Sequence, residues 1–207
     1  MYAIVESGSI TKQFNNPRRL TINNVQYSSK IYSLWTVAEK KAIGLYEVEY
    51  DNTNKKDEEW YINTNQTLAY DASGDKVVAS YGTATAKKIA DTLWTSQDKT
   101  DGKIREGEDV GDVATEGLKT VKKRMIDNQC AGILAPSDWL VVKATETSTT
   151  MNSAWKTWRA NVRTKCNSMQ TQITNASDVD ALATLFTYTE QENGSVTRPL
   201  GEFPVKA

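Results

Sequence analysis

Residues 151–173 read MNSAWKTWRANVRTKCNSMQTQI, and their apolar side chains recur at spacings of four and three. This a/d-type pattern predicts one long helix of about six turns with a continuous apolar seam. The seam could serve a partner's helix or form the core of its own domain. We favour the core, because the helices predicted at 118–134 and 178–186 also need a surface to bury against. The seam residues are Met151, Trp155, Trp158, Val162, Cys166, Met169 and Ile173.

The segments around this helix complete a helical domain over 118–193. Pro136 ends the helix predicted at 118–134, and Ser137 with Asp138 can cap a short apolar segment that begins at Trp139. Ser177 and Asp180 are expected to cap the last helix. Residues 194–207 contain two prolines and predict an extended C-terminal tail.

The first hundred residues show the pattern of short strands. Ser7-Gly8-Ser9 and Asn23-Asn24 each separate two strand-like runs, which predicts two hairpins. Thr36 and Glu39 fit a capping box, so a helix of about two turns is expected to end at Gly44. Further strands follow over 45–50, over an alternating run from Trp60 to Tyr70, and over 76–81.

From Thr83 the spacing of the apolar residues changes from every second residue, as in a strand, to the three-to-four spacing of a helix. Ala86, Ile89, Ala90, Leu93 and Trp94 form a stripe that predicts a helix from Thr83 to about Lys99. Residues 101–117 contain six acidic, two basic and four glycine residues, which is typical of a linker. The predicted fold class is therefore α+β. It comprises a small antiparallel β domain over 1–100 that ends in a helix, an acidic Gly-rich linker over 101–117, and the helical domain of about three helices.

Composition excludes several classes of function. The chain has no histidine, which rules out Ser-His-Asp catalysis and His-ligated zinc. Phosphate-binding and nucleophile-elbow motifs are missing, and Cys130 and Cys166 lack metal-ligand spacing. A net charge of −1 argues against nucleic acid as a partner, and no apolar run is long enough to insert into a membrane. We therefore predict a non-enzymatic protein with no catalytic residue, no metal and no cofactor.

After these exclusions, the most distinctive feature of the sequence is its combination of aromatic and cationic residues. Arg159 and Arg163 lie at i and i+4, in one row beside the tryptophans of the seam. Such a row can stack on or pair with a partner's side chains. In the alternative interpretation, the arginines bond to helix C-termini or to Asp138 and hold the helical domain together.

These residues also carry a resemblance. Ala135-Pro-Ser-Asp138-Trp139, followed by Trp155-x-x-Trp158-Arg159-x-x-Val162-Arg163, resembles the C-terminal region of bacteriophage tail-fibre assembly proteins. That family typically has Tyr and Leu where this chain has Trp158 and Val162, and a Trp-Pro near the end where this chain has Leu200-Gly-Glu-Phe-Pro204. The first hundred residues, with MYAIVESG at 1–8 and a helix like that of 31–39, are similar to modules of marine-phage virion proteins.

The resemblance implies a chaperone that helps tail-fibre trimers fold, or a component that stays on the fibre tip. The chain is then expected in the virion, or in the host cytoplasm during assembly. A structural virion protein, such as a head decoration or tail component, is the main alternative. A glycan-binding or glycan-processing protein is a third and would need exposed Trp35, Trp60 and Tyr61, for which burial in a core is the competing interpretation. The expected partner-binding residues are Trp155, Trp158, Arg159, Arg163, Asp138, Trp139, Trp35 and Trp60.

Overall fold

The computed structural model describes residues 1–206 and confirms the α+β class. The chain divides into two compact units, the first covering Met1–Thr85 and the second starting at Ala86. The first unit contains β1 (Tyr2–Glu6), β2 (Ser9–Phe14), β3 (Leu20–Ile22), β4 (Val25–Tyr27), α1 (Ile31–Leu34), α2 (Val37–Ala42), β5 (Leu45–Asp51), β6 (Tyr61–Ile62), β7 (Gln66–Asp71) and β8 (Lys76–Tyr81), and β9 (Thr85–Ala86) lies at the boundary.

The main sheet of the first unit has the strand order β2-β1-β5-β8-β7. Three of its four pairings are antiparallel, and β5 and β8 run parallel. Successive residues of the central strands are buried on opposite faces of the sheet. Ile4 and Leu45 belong to one apolar cluster, and Ala3 and Tyr46 belong to the other. Each face of the sheet therefore carries an apolar layer of its own.

Local sequence signals correctly predicted much of this unit. Both hairpins form at the predicted turns, and Ser7, Asn23 and Asn24 adopt the positive φ that those turns require. Thr36 and Glu39 form the capping box of α2. The single long strand expected from Trp60 to Tyr70 is instead two strands, β6 and β7, with a break between them.

The second unit contains two small antiparallel strand pairs and a set of helices. Its elements are β10 (Thr92–Leu93), α3 (Ser96–Thr100), β11 (Val113–Thr115), α4 (Leu118–Leu134), a 3₁₀ turn (Ala135–Ser137), α5 (Asp138–Glu146), α6 (Ser153–Asn175), α7 (Val179–Phe186), β12 (Thr189–Glu190) and β13 (Val196–Thr197). The two strand pairs are β10 with β11 and β12 with β13.

The prediction of a helix over 83–99 is wrong. This segment instead accepts hydrogen bonds from the free backbone N–H groups at the N-terminus of α4. The carboxylate of Asp91 accepts hydrogen bonds from the backbone N–H of Gly117 at 2.6 Å and from the hydroxyl of Thr120 at 2.8 Å. The carbonyls of Lys88 and Ile89 accept from the next two backbone N–H groups of α4. A Cβ at position 117 would overlap the backbone of Ala90, so glycine is required there. These long-range bonds replace the local helix.

The acidic stretch 101–117 lies inside the second unit as ordered structure, contrary to the linker prediction. The indole Nε1 of Trp94 donates to Glu108 at 2.6 Å. The backbone of Trp94 also bonds to Gly111 and Asp112. The segment therefore folds around one half-buried tryptophan, and the boundary between the units lies at Thr85 rather than near Thr100.

The core of the second unit lies between α4 and α6. Val162, Met169 and Ile173 of the seam are completely buried, and α4 contributes Ile126 and Cys130. The residue that caps α7 is Asp178, which accepts from the backbone of Ala181, rather than Ser177 or Asp180. The seam therefore serves as the core of its own unit.

The C-terminal segment after β13 packs on α6, and the range predicted as an extended tail also contains β13 and a turn at 199–200. Leu200 is completely buried, and its carbonyl accepts a hydrogen bond from Nζ of Lys165 at 2.9 Å. The indole of Trp158 donates to the carbonyl of Pro204 at 3.0 Å. The tail thus covers part of the apolar face of α6 that α4 leaves open.

Candidate protein-binding surface

Helix α5 is the largest apolar element that the second unit leaves uncovered. None of its nine residues is buried, and its main packing neighbour is the adjoining 3₁₀ turn. Trp139 is 59% exposed and Val142 is 54% exposed, and the two lie three residues apart on one side of the helix. Val141 is exposed as well. An exposed tryptophan beside valines is typical of a surface that a partner covers.

The start of α5, at Ser137 and Asp138, is held by a buried arginine and is called the foot of the helix below. The guanidinium of Arg159, only 8% exposed, donates to the carbonyl of Leu134 at 2.9 Å, to the hydroxyl of Ser137 and to the carboxylate of Asp138 at 2.6 Å. Ser137 donates in turn to the carbonyl of Leu134, so it does not cap α5. This network joins α6 to the end of α4 and to the start of α5. For Arg159, the alternative intramolecular interpretation is therefore correct.

The other arginine of the predicted row points to solvent. Arg163 lies one turn after Arg159 and is exposed, and within residues 1–206 it has no ion pair. Lys156, three residues before Arg159, is exposed and has no acidic partner in the same described range. Nζ of Lys143 lies 5.7 Å from the ring centroid of Trp139. Cations therefore flank the foot of α5 and its tryptophan.

Trp155 and Trp158 contact each other and the C-terminal segment. Their ring centroids are 5.5 Å apart with an interplanar angle of 86°, which is a favourable edge-to-face pair. Nζ of Lys206 lies 5.0 Å from the centroid of Trp155. Both tryptophans are half-buried, so this pair mainly fixes the C-terminal segment on α6.

The two tryptophans of the first unit face inward. Trp60 is 6% exposed, and Trp35 packs edge-to-face on Tyr27 with ring centroids 5.7 Å apart. Tyr61 is half-buried. The structure therefore separates the predicted site residues: Asp138, Trp139, Arg159 and Arg163 lie around α5, Trp155 and Trp158 lie under the tail, and Trp35 and Trp60 lie in the first unit.

Sequence reasoning missed Val142 and Lys143 as parts of this surface. The four consecutive apolar residues from Trp139 to Val142 were the available signal. Four neighbours span all sides of a helix, so a helix packed on one side must leave some of them in solvent.

Burial governs the chemistry of the two cysteines. Both are free and buried between α4 and α6. Burial raises the pKa of Cys166 to about 12, and the neighbouring Cys130 thiol and Asp127 act in the same direction. A thiol in this environment stays protonated and unreactive at neutral pH.

Comparisons with models of known protein families, with curated proteins and with solved structures gave no match. Within residues 1–206, no group of three or more acidic or cysteine side chains is arranged to hold a metal ion. No helix in the described part of the chain combines the length and apolar character needed to cross a bilayer.

Proposed function

We propose that this chain is a bacteriophage protein that binds a tail fibre without catalysing a reaction, as an assembly chaperone or as a component of the fibre tip. The observation that carries the proposal is α5, an apolar helix with no buried residue whose foot is fixed by Arg159. The Asp138-Trp139 pair at its start is also the part of the sequence that resembles tail-fibre assembly proteins. Two of the resembling residues, Asp138 and Trp139, therefore lie on the uncovered surface.

Co-expression with the candidate fibre of the same phage tests the proposal. We expect a stable complex and more fibre trimer than the fibre forms alone, measured by light scattering after size exclusion. Trp139→Ala should weaken the complex at least about tenfold, because a central tryptophan commonly contributes 2 kcal/mol or more to binding. Leu34→Ala is the matched control, since Leu34 is an exposed apolar residue of the first unit. A fibre that trimerises equally well alone and forms no complex would contradict the proposal.

The near-neutral charge and the division into two compact units favour a second candidate, a structural virion protein present in many copies. Quantitative mass spectrometry of purified particles separates the two candidates. A handful of copies per virion supports a fibre component, hundreds support a head or tail component, and absence from the particle supports a chaperone that departs.

A further inference from the structure

We propose that α5 binds as a helix into an apolar groove of the fibre protein whose rim carries carboxylates. This inference rests on the proposed function and adds the chemistry of the partner.

The apolar part of the surface is narrow and helical. Trp139 and Val142 lie on one side of α5, and Val141 adjoins them. Recognition of a helix in a groove uses anchors at this i, i+3 spacing, with the largest side chain filling a pocket. Trp139 is the natural anchor, because its large rigid ring is 59% exposed and is attached close to the fixed foot of the helix.

The charges around this surface have one predominant sign. Lys156 and Arg163 lie about one turn before and one turn after Arg159 along α6, so they stand on either side of the point where α5 begins. Lys143 lies beside the ring of Trp139. Within the described residues 1–206, none of the three forms an ion pair.

The acidic residues of α5 do not cancel these cations. The carboxylate of Asp138 already accepts from Arg159 at 2.6 Å, so its charge is paired with a cation of the same chain. Glu146, the last residue of α5, lies three residues after Lys143 and offsets part of the charge of that lysine alone. Three exposed cations without an ion pair in the described part of the chain therefore stand near the start of α5 and its apolar anchor against one such carboxylate, and the complementary surface is an apolar groove with an acidic rim.

Charges on a rim act mainly on the rate of association, whereas the buried anchor acts on dissociation. We therefore expect the association rate of the full-length chain with the purified fibre to fall steeply as NaCl rises from 50 to 300 mM. Reversing the three cations together (Lys143→Glu, Lys156→Glu and Arg163→Glu) should slow association at least about tenfold at 50 mM NaCl. Trp139→Ala should instead mainly accelerate dissociation.

Lys12→Glu is the matched control, because Lys12 is an exposed lysine of β2 in the first unit. It makes the same change of charge as each single reversal and should leave association unchanged. Circular dichroism and the urea midpoint of each variant show that it is folded. All three cations are exposed, so their reversal should leave both measurements close to those of the original protein.

The outcomes are distinguishable. Binding that is independent of salt and of the three reversals overturns the acidic rim, while the proposed function stands. Absence of any complex overturns the proposed function itself. If light scattering shows that the chain alone forms an oligomer that Trp139→Ala dissociates, a second copy occupies α5, and the inference is wrong.

Discussion

Helices α5 and α6 follow one another in the chain, and each carries a tryptophan in its first turn, but they differ in what covers them. The apolar residues of α6 keep a spacing of four and three, so they form one stripe that α4 and the C-terminal segment bury. The apolar residues of α5 are consecutive, so they point in all directions around the helix. The comparison shows that the spacing of apolar residues, more than their number, decides whether a helix joins the core.

The largest expected difference between the two helices is in thiol reactivity. Cys166 on α6 is buried, and its pKa is raised to about 12, so almost none of it is thiolate at pH 8. In a Val142→Cys variant, the new thiol on α5 should be alkylated by iodoacetamide about 1,000-fold faster than Cys166. Mass spectrometry of the labelled peptides measures the ratio, and rapid native labelling of Cys166 would contradict the buried seam.

The same shift in pKa has a consequence for stability. The folded state binds the Cys166 proton more tightly than the unfolded state does, because its pKa is raised. The stabilisation is therefore present below the ordinary thiol pKa of about 8.5 and is lost as the pH rises above it. Urea midpoints between pH 7 and 10 should fall, and Cys166→Ser should reduce that slope.

The next effect is on packing in the core. Ile173→Ala should lower the free energy of unfolding of the helical unit by about 2–5 kcal/mol, because Ile173 is completely buried and its truncation leaves a cavity. Val142→Ala on α5 is the matched control and should change it by less than about 0.5 kcal/mol. Denaturation followed by helical circular dichroism measures both. Equal losses would show that α5 is as tightly packed as α6.

The smallest effect concerns the hydrogen bonds by which Arg159 of α6 holds the start of α5. Arg159→Ala should destabilise the helical unit by about 2–3 kcal/mol, because it leaves the carbonyl of Leu134 and the buried Ser137 without their charged donor. Arg163→Ala, one turn away and exposed, should cost less than about 0.5 kcal/mol. Thermal denaturation of the two variants compares them directly, and a null effect at Arg159 would mean that α5 is not anchored there.

Much of the fold was predictable where a few neighbouring residues decide the structure. The expected turns form at Ser7-Gly8 and Asn23-Asn24, and the expected capping box forms at Thr36 and Glu39. The periodicity of α4 and α6 correctly predicted both helices. The segment from Thr83 to Lys99 did not, because Asp91 serves the end of a helix 26 residues away. Sequence periodicity contains no information about such a bond.

The candidate surface was predictable in part for the same reason. Asp138 and Trp139 were expected at the start of a helix, and Arg159 and Arg163 in one row of another. Which arginine turns inward depends on the carbonyl of Leu134 and on Ser137, whose positions follow from how α4 ends against α6. Lys143 and Val142 become part of a surface because they lie on the exposed side of α5, whereas Leu140 and Ala144 are half-buried.

The amino-acid sequence by itself determined the α+β class, the turns, the capping box of α2 and the long apolar stripe of α6, because each depends on residues within a few positions of one another. Tertiary structure alone decided that the acidic stretch is an ordered part of the second unit, that the tail covers α6, and that Arg159 is bound while Arg163 is free. Those outcomes depend on burial and on hydrogen bonds between distant segments. They exist only once the helices have packed and the polar groups left between them have found partners.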